Sequence, residues 1–375
     1  MTVASAILAS PLRSLRPMHL DAFVQLGHYI RSRLELLGAY VHRTAHHNAW
    51  FTPENQWRML DAIAEDYLAE EKLRAWAAQY GIGEGAVAKT AHGAADGGAR
   101  RKTVGLVMAG NLPLVGFHDW LSVLVAGYDA QVKLSERDPY LLPHLAKQLG
   151  VIEPALADRT RFVERLKGFD AVIATGSNNT SRYFRQYFGK YPHIIRGNRT
   201  SVAVLHGDET TEELRALADD IFAYFGQGCR SVGKVYVPEG YAFEPLLDVL
   251  HEHKALANYS KWKNNFDYNY ALLSINKEPF LMTGSLLVVE REELHSRLAT
   301  LHYERYRDLA DLAIELHGVR EQLQQVVSAR EMPGWEVVAP GAGQRPGLGD
   351  WADGVDVMGF LRRQDATELG LYPST

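Results

Sequence analysis

The chain has a single cysteine among 375 residues, so it forms no internal disulfide, and that thiol is there either for chemistry or for packing. No apolar run is long enough to cross a bilayer. A composition of 46% hydrophobic and 23% charged residues excludes a disordered chain and leaves room for two or three packed units. Formal charge is −5, so the overall electrostatics do not favour nucleic acid. The weakly apolar stretch Thr2 to Leu12 has no basic segment before it and arginines after it, the reverse of a secretory signal. These absences together predict a cytoplasmic protein with no transmembrane segment. The glycine fingerprint G-x-G-x-x-G is also missing, which removes the usual sequence mark of a dinucleotide fold.

The cysteine lies in Phe225-Gly-Gln-Gly-Cys-Arg-Ser231, directly behind two glycines and an amphipathic stretch whose Leu214, Leu217, Ile221, Phe222 and Phe225 form one apolar stripe. Gly226 and Gly228 are expected to end that helix and turn Cys229 outward. A thiolate is intrinsically nucleophilic, and the glycines just before it let a carbonyl approach the backbone, where an N–H can hold an oxyanion. The alternative is a buried spectator thiol. Arg230 either lowers the thiol pKa by proximity or faces solvent.

Residues 1 to 84 read as helical, with Phe23, Ile30, Leu34 and Leu37 on one face and Trp57, Leu60, Ile63 and Tyr67 on another after a Thr52-Pro53 start. His42, His46 and His47 lack a further ligand at metal-site spacing and read as solvated or capping, as do His251 and His253; no metal is expected. A glycine-rich breaker from Gly81 to Lys102 follows. Beyond it strand and helix alternate: strands at 103–109, 130–134, 170–175 and 201–205, with helices at 115–126, 139–149 and 180–188. That βαβ pattern predicts an α/β fold with a parallel sheet covered on both faces. Further on, 235–237 and 284–290 read as strands and 243–254 as a helix, giving a second α/β unit.

Ligands bind at the carboxyl ends of such strands. Three turns there carry polar chemistry: Gly110-Asn111-Leu-Pro113, Lys133-Leu-Ser135-Glu136 and Gly176-Ser177-Asn-Asn179. The third would set backbone N–H groups at a helix N-terminus, where a phosphate can bind, although Ser177 as a plain N-cap explains the same residues.

In order, these turns and Gly226-Gln-Gly-Cys229 resemble the aldehyde dehydrogenase superfamily. The strings Ala109-Gly-Asn-Leu-Pro-Leu-Val-Gly-Phe-His-Asp119, Gly226-Gln-Gly-Cys-Arg-Ser-Val-Gly-Lys-Val-Tyr-Val237 and Pro346-Gly-Leu-Gly-Asp-Trp-Ala-Asp-Gly-Val-Asp356 resemble, within it, the LuxC-like acyl-CoA reductases of bacterial luminescence. The resemblance runs from about 104 to 361. It implies an aldehyde dehydrogenase-like architecture with a helical region (1–84), a dinucleotide-binding unit (103–197), a cysteine-bearing catalytic unit (198–340) and a C-terminal segment (341–375) closing the interface. The implied reaction is NAD(P)H-dependent reduction of an acyl thioester to an aldehyde through a thioacyl-cysteine. Cys229 matches the family nucleophile and Asn111 the oxyanion-holding asparagine, while Lys133, Ser135 and Glu136 fall at the adenosine ribose and Gly176 and Ser177 beneath the pyrophosphate. His118 is a candidate to touch substrate or orient Asn111, and Asp119 beside it otherwise answers the helix dipole. The resemblance favours NADPH, whereas a carboxylate at Glu136 favours NADH. The acyl donor is acyl-CoA or an acyl-carrier protein, and a homo-oligomer or a partner enzyme supplying acyl groups is implied too.

The hydrolytic members of the superfamily carry a general-base glutamate where this chain reads His193-Ile-Ile-Arg-Gly-Asn198, placing Ile194 at that position. Without a base, water attacks the thioacyl-enzyme poorly. His193 or His206 would be the substitutes, and Glu278 the nearest match to a second family glutamate. Phe117, Trp120, Tyr268 and Tyr270 are candidates for an acyl tunnel or for core. Two other readings stand beside the reductase: a non-catalytic interaction subunit of the same fold, and oxidation of an aldehyde to the acid.

Overall fold

The structure, a computed structural model, describes residues 17–82 and 101–368. The stretch Thr2 to Leu12 and most of the glycine-rich breaker lie outside the described residues. Two compact units result: the first takes the described residues up to Gly197 and again from Gly347, and the second is Asn198–Pro346.

The first unit opens with helices α1 (Pro17–Arg31), α2 (Glu35–His47), α3 (Pro53–Ala62) and α4 (Glu70–Gln79), with a π-helical turn at Ile63–Tyr67. Thr52 caps α3 by accepting the Asn55 N–H at 3.3 Å, ahead of Pro53 at the first helical position. The face expected to run from Phe23 through Leu34 is broken. Arg33 has φ 48, the chain reverses there, and Leu34 is left exposed in front of α2.

The sheet of this unit contains β1 (Thr103–Val107), β2 (Asp129–Lys133), β3 (Thr160–Phe162), β4 (Ala171–Thr175) and β5 (His193–Arg196) in the order β3-β2-β1-β4-β5, all parallel. Helices α5 (Phe117–Val125), α6 (Leu141–Ile152) and α7 (Asn178–Phe188) make the crossovers. The sequence pattern missed β3 and β5. Both are short sheet edges, and β3 is largely exposed, so neither carries the apolar run of an inner strand. The four N-terminal helices have no core of their own: Phe23 packs edge-on against Trp120 at 5.9 Å, and one apolar cluster joins α1–α4, α5, α6 and the sheet.

In the second unit β6 (Thr200–Val204), α8 (Thr211–Phe222), β7 (Val232–Pro238), α9 (Glu244–Glu252), α10 (Ser260–Ile275), β8 (Leu281–Met282), β9 (Leu287–Glu290), β10 (Thr300–Tyr306), α11 (Leu309–Gly318), β11 (Leu323–Val327) and β12 (Val337–Val338) build a seven-stranded sheet. Its order is β12-β11-β6-β7-β10-β9-β8, parallel except for β8 against β9. A capping box starts α8: Thr210 Oγ1 accepts the Glu213 N–H and Glu213 accepts the Thr210 N–H. The chain then returns to the first unit, where α12 (Val357–Glu368) puts Val357, Met358, Phe360 and Leu361 into the core already built by the N-terminal helices and the sheet. No described helix is long and apolar enough to cross a membrane.

Candidate active site

The strand order reverses direction between β1 and β4. The crevice outside the carboxyl ends of those strands is therefore the place where an open α/β sheet takes a ligand. The turn after β1 holds Gly110 and Asn111, and the turn after β4 holds Gly176 and Ser177. A Cβ on Gly110 would lie 2.2 Å from Ser135 Oγ, so the turns after β1 and β2 touch in a way only glycine permits. Ser135 Oγ itself accepts the Arg137 N–H at 3.2 Å, while Lys133 and Glu136 point their charges to solvent at the end of β2. At Gly176 a Cβ would crowd Thr180 and Phe184 at 3.0 Å. Ser177 caps α7 by accepting the Thr180 N–H at 3.3 Å. Backbone close to the crevice and the N–H groups in the first turn of an eleven-residue helix are the kind of donors that a pyrophosphate requires.

The turn after β2 is also held from the N-terminal helices. His47 Nε2 donates to the Glu136 carbonyl at 2.7 Å, and Asn48 Nδ2 donates to the Arg137 carbonyl at 3.2 Å. One of the three clustered histidines thus has a specific structural task. Across the turn, Asp138 Oδ2 accepts the Leu114 N–H at 2.7 Å, and Leu114 sits at φ 54, left-handed for a residue with a branched side chain. Burial pushes the Asp138 carboxyl up to about 6.

His118, on α5, does not hang over the turn after β1 in isolation. Its Nε2 donates to the Leu348 carbonyl at 3.1 Å, and its ring meets the edges of Tyr67 and Trp76 at 5.5 and 6.0 Å. The imidazole therefore ties α5 to the π-helical turn, to α4 and to the returning segment before α12. Asp119 stands in the first turn of α5, as the dipole favours, and also answers a charge: Arg196 donates to both of its oxygens, at 2.6 and 3.1 Å, in a buried pair linking α5 to β5. On β5 the alternation puts Ile194 in the core, Ile195 half-buried and His193 outside, where its Nδ1 donates to the Tyr191 carbonyl. Phe117 and Trp120 are core, and Trp120 Nε1 donates to Thr160 Oγ1 at 2.9 Å.

In the second unit α8 stops at Phe222, three residues earlier than its apolar stripe suggests. Tyr224, Phe225 and Gly226 follow in left-handed conformation, with φ of 53, 57 and 66. Phe225 is buried outside the helix, stacked on Tyr259 at 4.8 Å and packed near Trp262. This sharp turn delivers Gln227 to Ser231 as a short loop with Cys229 half-buried. Side chains around it hold its backbone. Ser201 Oγ donates to the Cys229 carbonyl at 2.9 Å, the Gly228 N–H donates to Ser231 Oγ at 3.3 Å, and Gln344 Nε2 reaches Ser231 Oγ at 3.5 Å. Arg230 is half-buried rather than facing solvent: its guanidinium donates to Gln325 Oε1 at 2.7 Å, and Gln325 Nε2 returns a bond to the Arg230 carbonyl at 3.3 Å. Asp220, on the buried side of α8, accepts the Gly341 N–H at 2.7 Å, and burial pushes its carboxyl up to about 6.

The remaining candidates lie elsewhere in this unit. Glu278 is ion-paired with Arg291 and accepts from Asn276 Nδ2. His206 Nε2 bonds Ser328 Oγ at 3.1 Å, His251 Nδ1 accepts the Gly284 N–H, and His253 stacks on Phe222. Tyr268 and Tyr270 are exposed on α10. Sequence reasoning missed Asp138, Asp220 and Gln325. A charged residue on the apolar side of α8 was a readable signal for the second, whereas an aspartate before proline reads as an ordinary turn.

Residues 99–259 match the acyl-CoA reductase (LuxC) family. No curated protein matches the sequence. Among solved structures, an aldehyde dehydrogenase from Physcomitrella patens in complex with its product succinate aligns with a TM-score of 0.60 at 13% identity, over 87% of this chain and 74% of that one. An indole-3-acetaldehyde dehydrogenase from P. syringae in complex with NAD+ and IAA gives 0.57 at 13% identity, over 86% and 74%. The glyceraldehyde-3-phosphate dehydrogenase of Methanocaldococcus jannaschii complexed with NADP gives 0.55 at 13%, over 86% and 77%. The fold is that of the aldehyde dehydrogenases.

Proposed function

We propose that this oxidoreductase, whose residues 99–259 match the acyl-CoA reductase (LuxC) family, reduces an acyl thioester to an aldehyde through an acyl group carried on Cys229. The observation that carries the reading is that the matched segment includes both Asn111 and Cys229, within an aldehyde dehydrogenase fold. The Cys229 thiolate attacks the thioester carbonyl, and the Asn111 amide with the Cys229 N–H holds the oxyanion. The attack forms the bond between Cys229 Sγ and the acyl carbon; collapse of the oxyanion restores the carbonyl, breaks the bond to the carrier's sulfur and expels the carrier as a thiolate, which takes up a proton. Donors placed for the oxyanion stabilise the transition state by about 3–4 kcal/mol each. A bound nicotinamide cofactor supplies the hydride that reduces the thioacyl carbon. Breaking the carbon–sulfur bond then releases the aldehyde and restores the thiolate, so Cys229 is nucleophile first and leaving group second.

Gly176, Ser177 and the first turn of α7 hold the cofactor pyrophosphate, while Lys133, Ser135 and Glu136 form the ribose end. NADPH is the expected reductant by family and NADH by the charge of Glu136. The donor is fatty acyl-CoA or the corresponding acyl-carrier protein, and the setting is cytoplasmic. Oxidation to the acid needs a base for water. The position assigned to that base holds Ile194, whose side chain is in the core, and the neighbouring Arg196 is committed to Asp119.

Intact mass after incubation with a panel of acyl-CoAs, with and without NADPH or NADH, tests the reading on wild type and Cys229→Ala. An adduct on wild type alone, discharged to aldehyde by one cofactor, is the expected result. Folded protein that takes no acyl group and releases no CoA would put the interaction subunit first; acid formed from aldehyde without CoA would put oxidation first.

A further inference from the structure

The turn after β1 turns away from its strand through Leu114 at φ 54. For a residue with a Cβ that conformation costs about 1–2 kcal/mol, so something outside the turn must hold it. One side chain does: Asp138 Oδ2 accepts the Leu114 N–H at 2.7 Å, with both residues buried. Asp138 is 7% exposed, and among the described residues its second oxygen, Oδ1, has no hydrogen-bond partner. A buried carboxylate with one oxygen unused is costly to keep for stability alone. It belongs to the turn after β2, which carries Lys133, Ser135 and Glu136. That turn is fixed by the Asp138 N–H on the Ser135 carbonyl at 3.1 Å, by Asn48 on Arg137 and by the tight approach of Ser135 to Gly110.

We propose that Asp138 is a positioning residue for Asn111: by accepting the Leu114 amide it locks the turn after β1 onto the turn after β2, so the oxyanion donor is set by the cofactor-binding turn. The inference rests on the role proposed above for Asn111. Asn111 lies three residues before the anchored amide, so releasing that amide frees its backbone to drift. A misplacement of about 1 Å costs on the order of a hundred-fold in rate.

The test is the single-turnover rate of CoA release from acyl-CoA in the full chain, for Asp138→Ala, Asp138→Asn, Asn111→Ala and the Asn111→Ala/Asp138→Ala double variant. Asp138→Ala is expected to slow the maximal rate roughly 10- to 100-fold, with the acyl-CoA concentration for half-maximal rate moved less than about three-fold. Asp138→Asn keeps an acceptor for Leu114 and is expected to restore the rate to within about three-fold of wild type. In the Asn111→Ala background, Asp138→Ala should add less than about two-fold, because the group it positions is gone. If Asp138→Ala does not fold, Asp138→Ser, whose oxygen is too short to reach Leu114, takes its place in the cycle. An Ala or Ser variant as fast as wild type, or one whose loss multiplies in full onto that of Asn111→Ala, overturns the inference while leaving the role of Asn111 intact. An Asn111→Ala variant with an undiminished rate overturns that role, and the inference with it.

Discussion

The chain reaches Asn111 and Cys229 by different backbone routes that share one device. In the first unit a single left-handed residue, Leu114, follows Asn111, and the amide of that residue is held by the buried Asp138. In the second, three left-handed residues in succession, Tyr224, Phe225 and Gly226, precede Cys229, and the neighbouring 341–344 stretch is held by the buried Asp220 through Gly341. Each unit thus sets one buried carboxylate on backbone N–H groups beside the loop in question, Leu114 for Asp138 and Gly341, Gly343 and Gln344 for Asp220. The difference is in how strain is offset. At Leu114 a hydrogen bond holds the turn; at Phe225 it is aromatic packing against Tyr259 and Trp262. A loop held by a hydrogen bond should respond to substitution of one polar atom, and a loop held by packing to loss of volume.

The largest expected effect separates the two loops outright. Cys229→Ala should lose aldehyde formation by more than about a thousand-fold with little change in melting temperature, read by CoA release and thermal denaturation. Asn111→Ala comes next, at about 3–4 kcal/mol in the acylation barrier. Cys229 in that variant should react with iodoacetamide at the wild-type rate, because the substitution lies in the other unit. Equal slowing of alkylation would break the comparison by showing that the cysteine loop had been disturbed too.

The shared device predicts a pH dependence. An ordinary aspartate titrates near 3.8, and burial lifts Asp138 and Asp220 to about 6. Between those values the folded chain binds more protons than the unfolded one. The stability each carboxyl contributes is therefore full below about pH 4 and is lost as pH rises to about 6. Urea melts at both ends of that window should show wild type gaining about 2–3 kcal/mol relative to Asp138→Asn on going from pH 7 to pH 4. Asp220→Asn should do the same. A flat difference for either would show that its carboxyl titrates as an exposed one does. The smallest effect concerns strain alone: Phe225→Gly should be more stable than Phe225→Ala by about 1 kcal/mol, the reverse of their order in a helix. The alanine still occupies the left-handed region without the ring that offsets it.

The parts of this architecture that were legible in the sequence are those dictated by burial. Inner strands such as β1, β4 and β6 are continuous apolar runs, α8 repeats every third or fourth residue, and the polar turns at their ends pick out Asn111, Lys133 and Gly176. What was not legible depends on partners distant in the chain. Edge strands β3 and β5 are set by pairing with β2 and β4 rather than by their own pattern. Phe225 continues the apolar period of α8 yet lies beyond its end, because packing on α10 and the residue before it overrides helical spacing. Likewise Asp138, Arg230 and His118 each bond to a residue that no local pattern names.

The return of the chain to its first unit governs the order of folding during synthesis. Leu348, Val357, Met358, Phe360 and Leu361 are buried in a core whose remaining members lie between Leu20 and Ile194, and the whole of the second unit is translated in between. At ordinary ribosomal speeds that interval is on the order of ten seconds. A nascent chain therefore carries the complete sequence of the cysteine-bearing unit while the five-stranded sheet and N-terminal helices of the first unit still lack α12. Until α12 leaves the ribosome, the apolar surface that it covers in the first unit stays open to water.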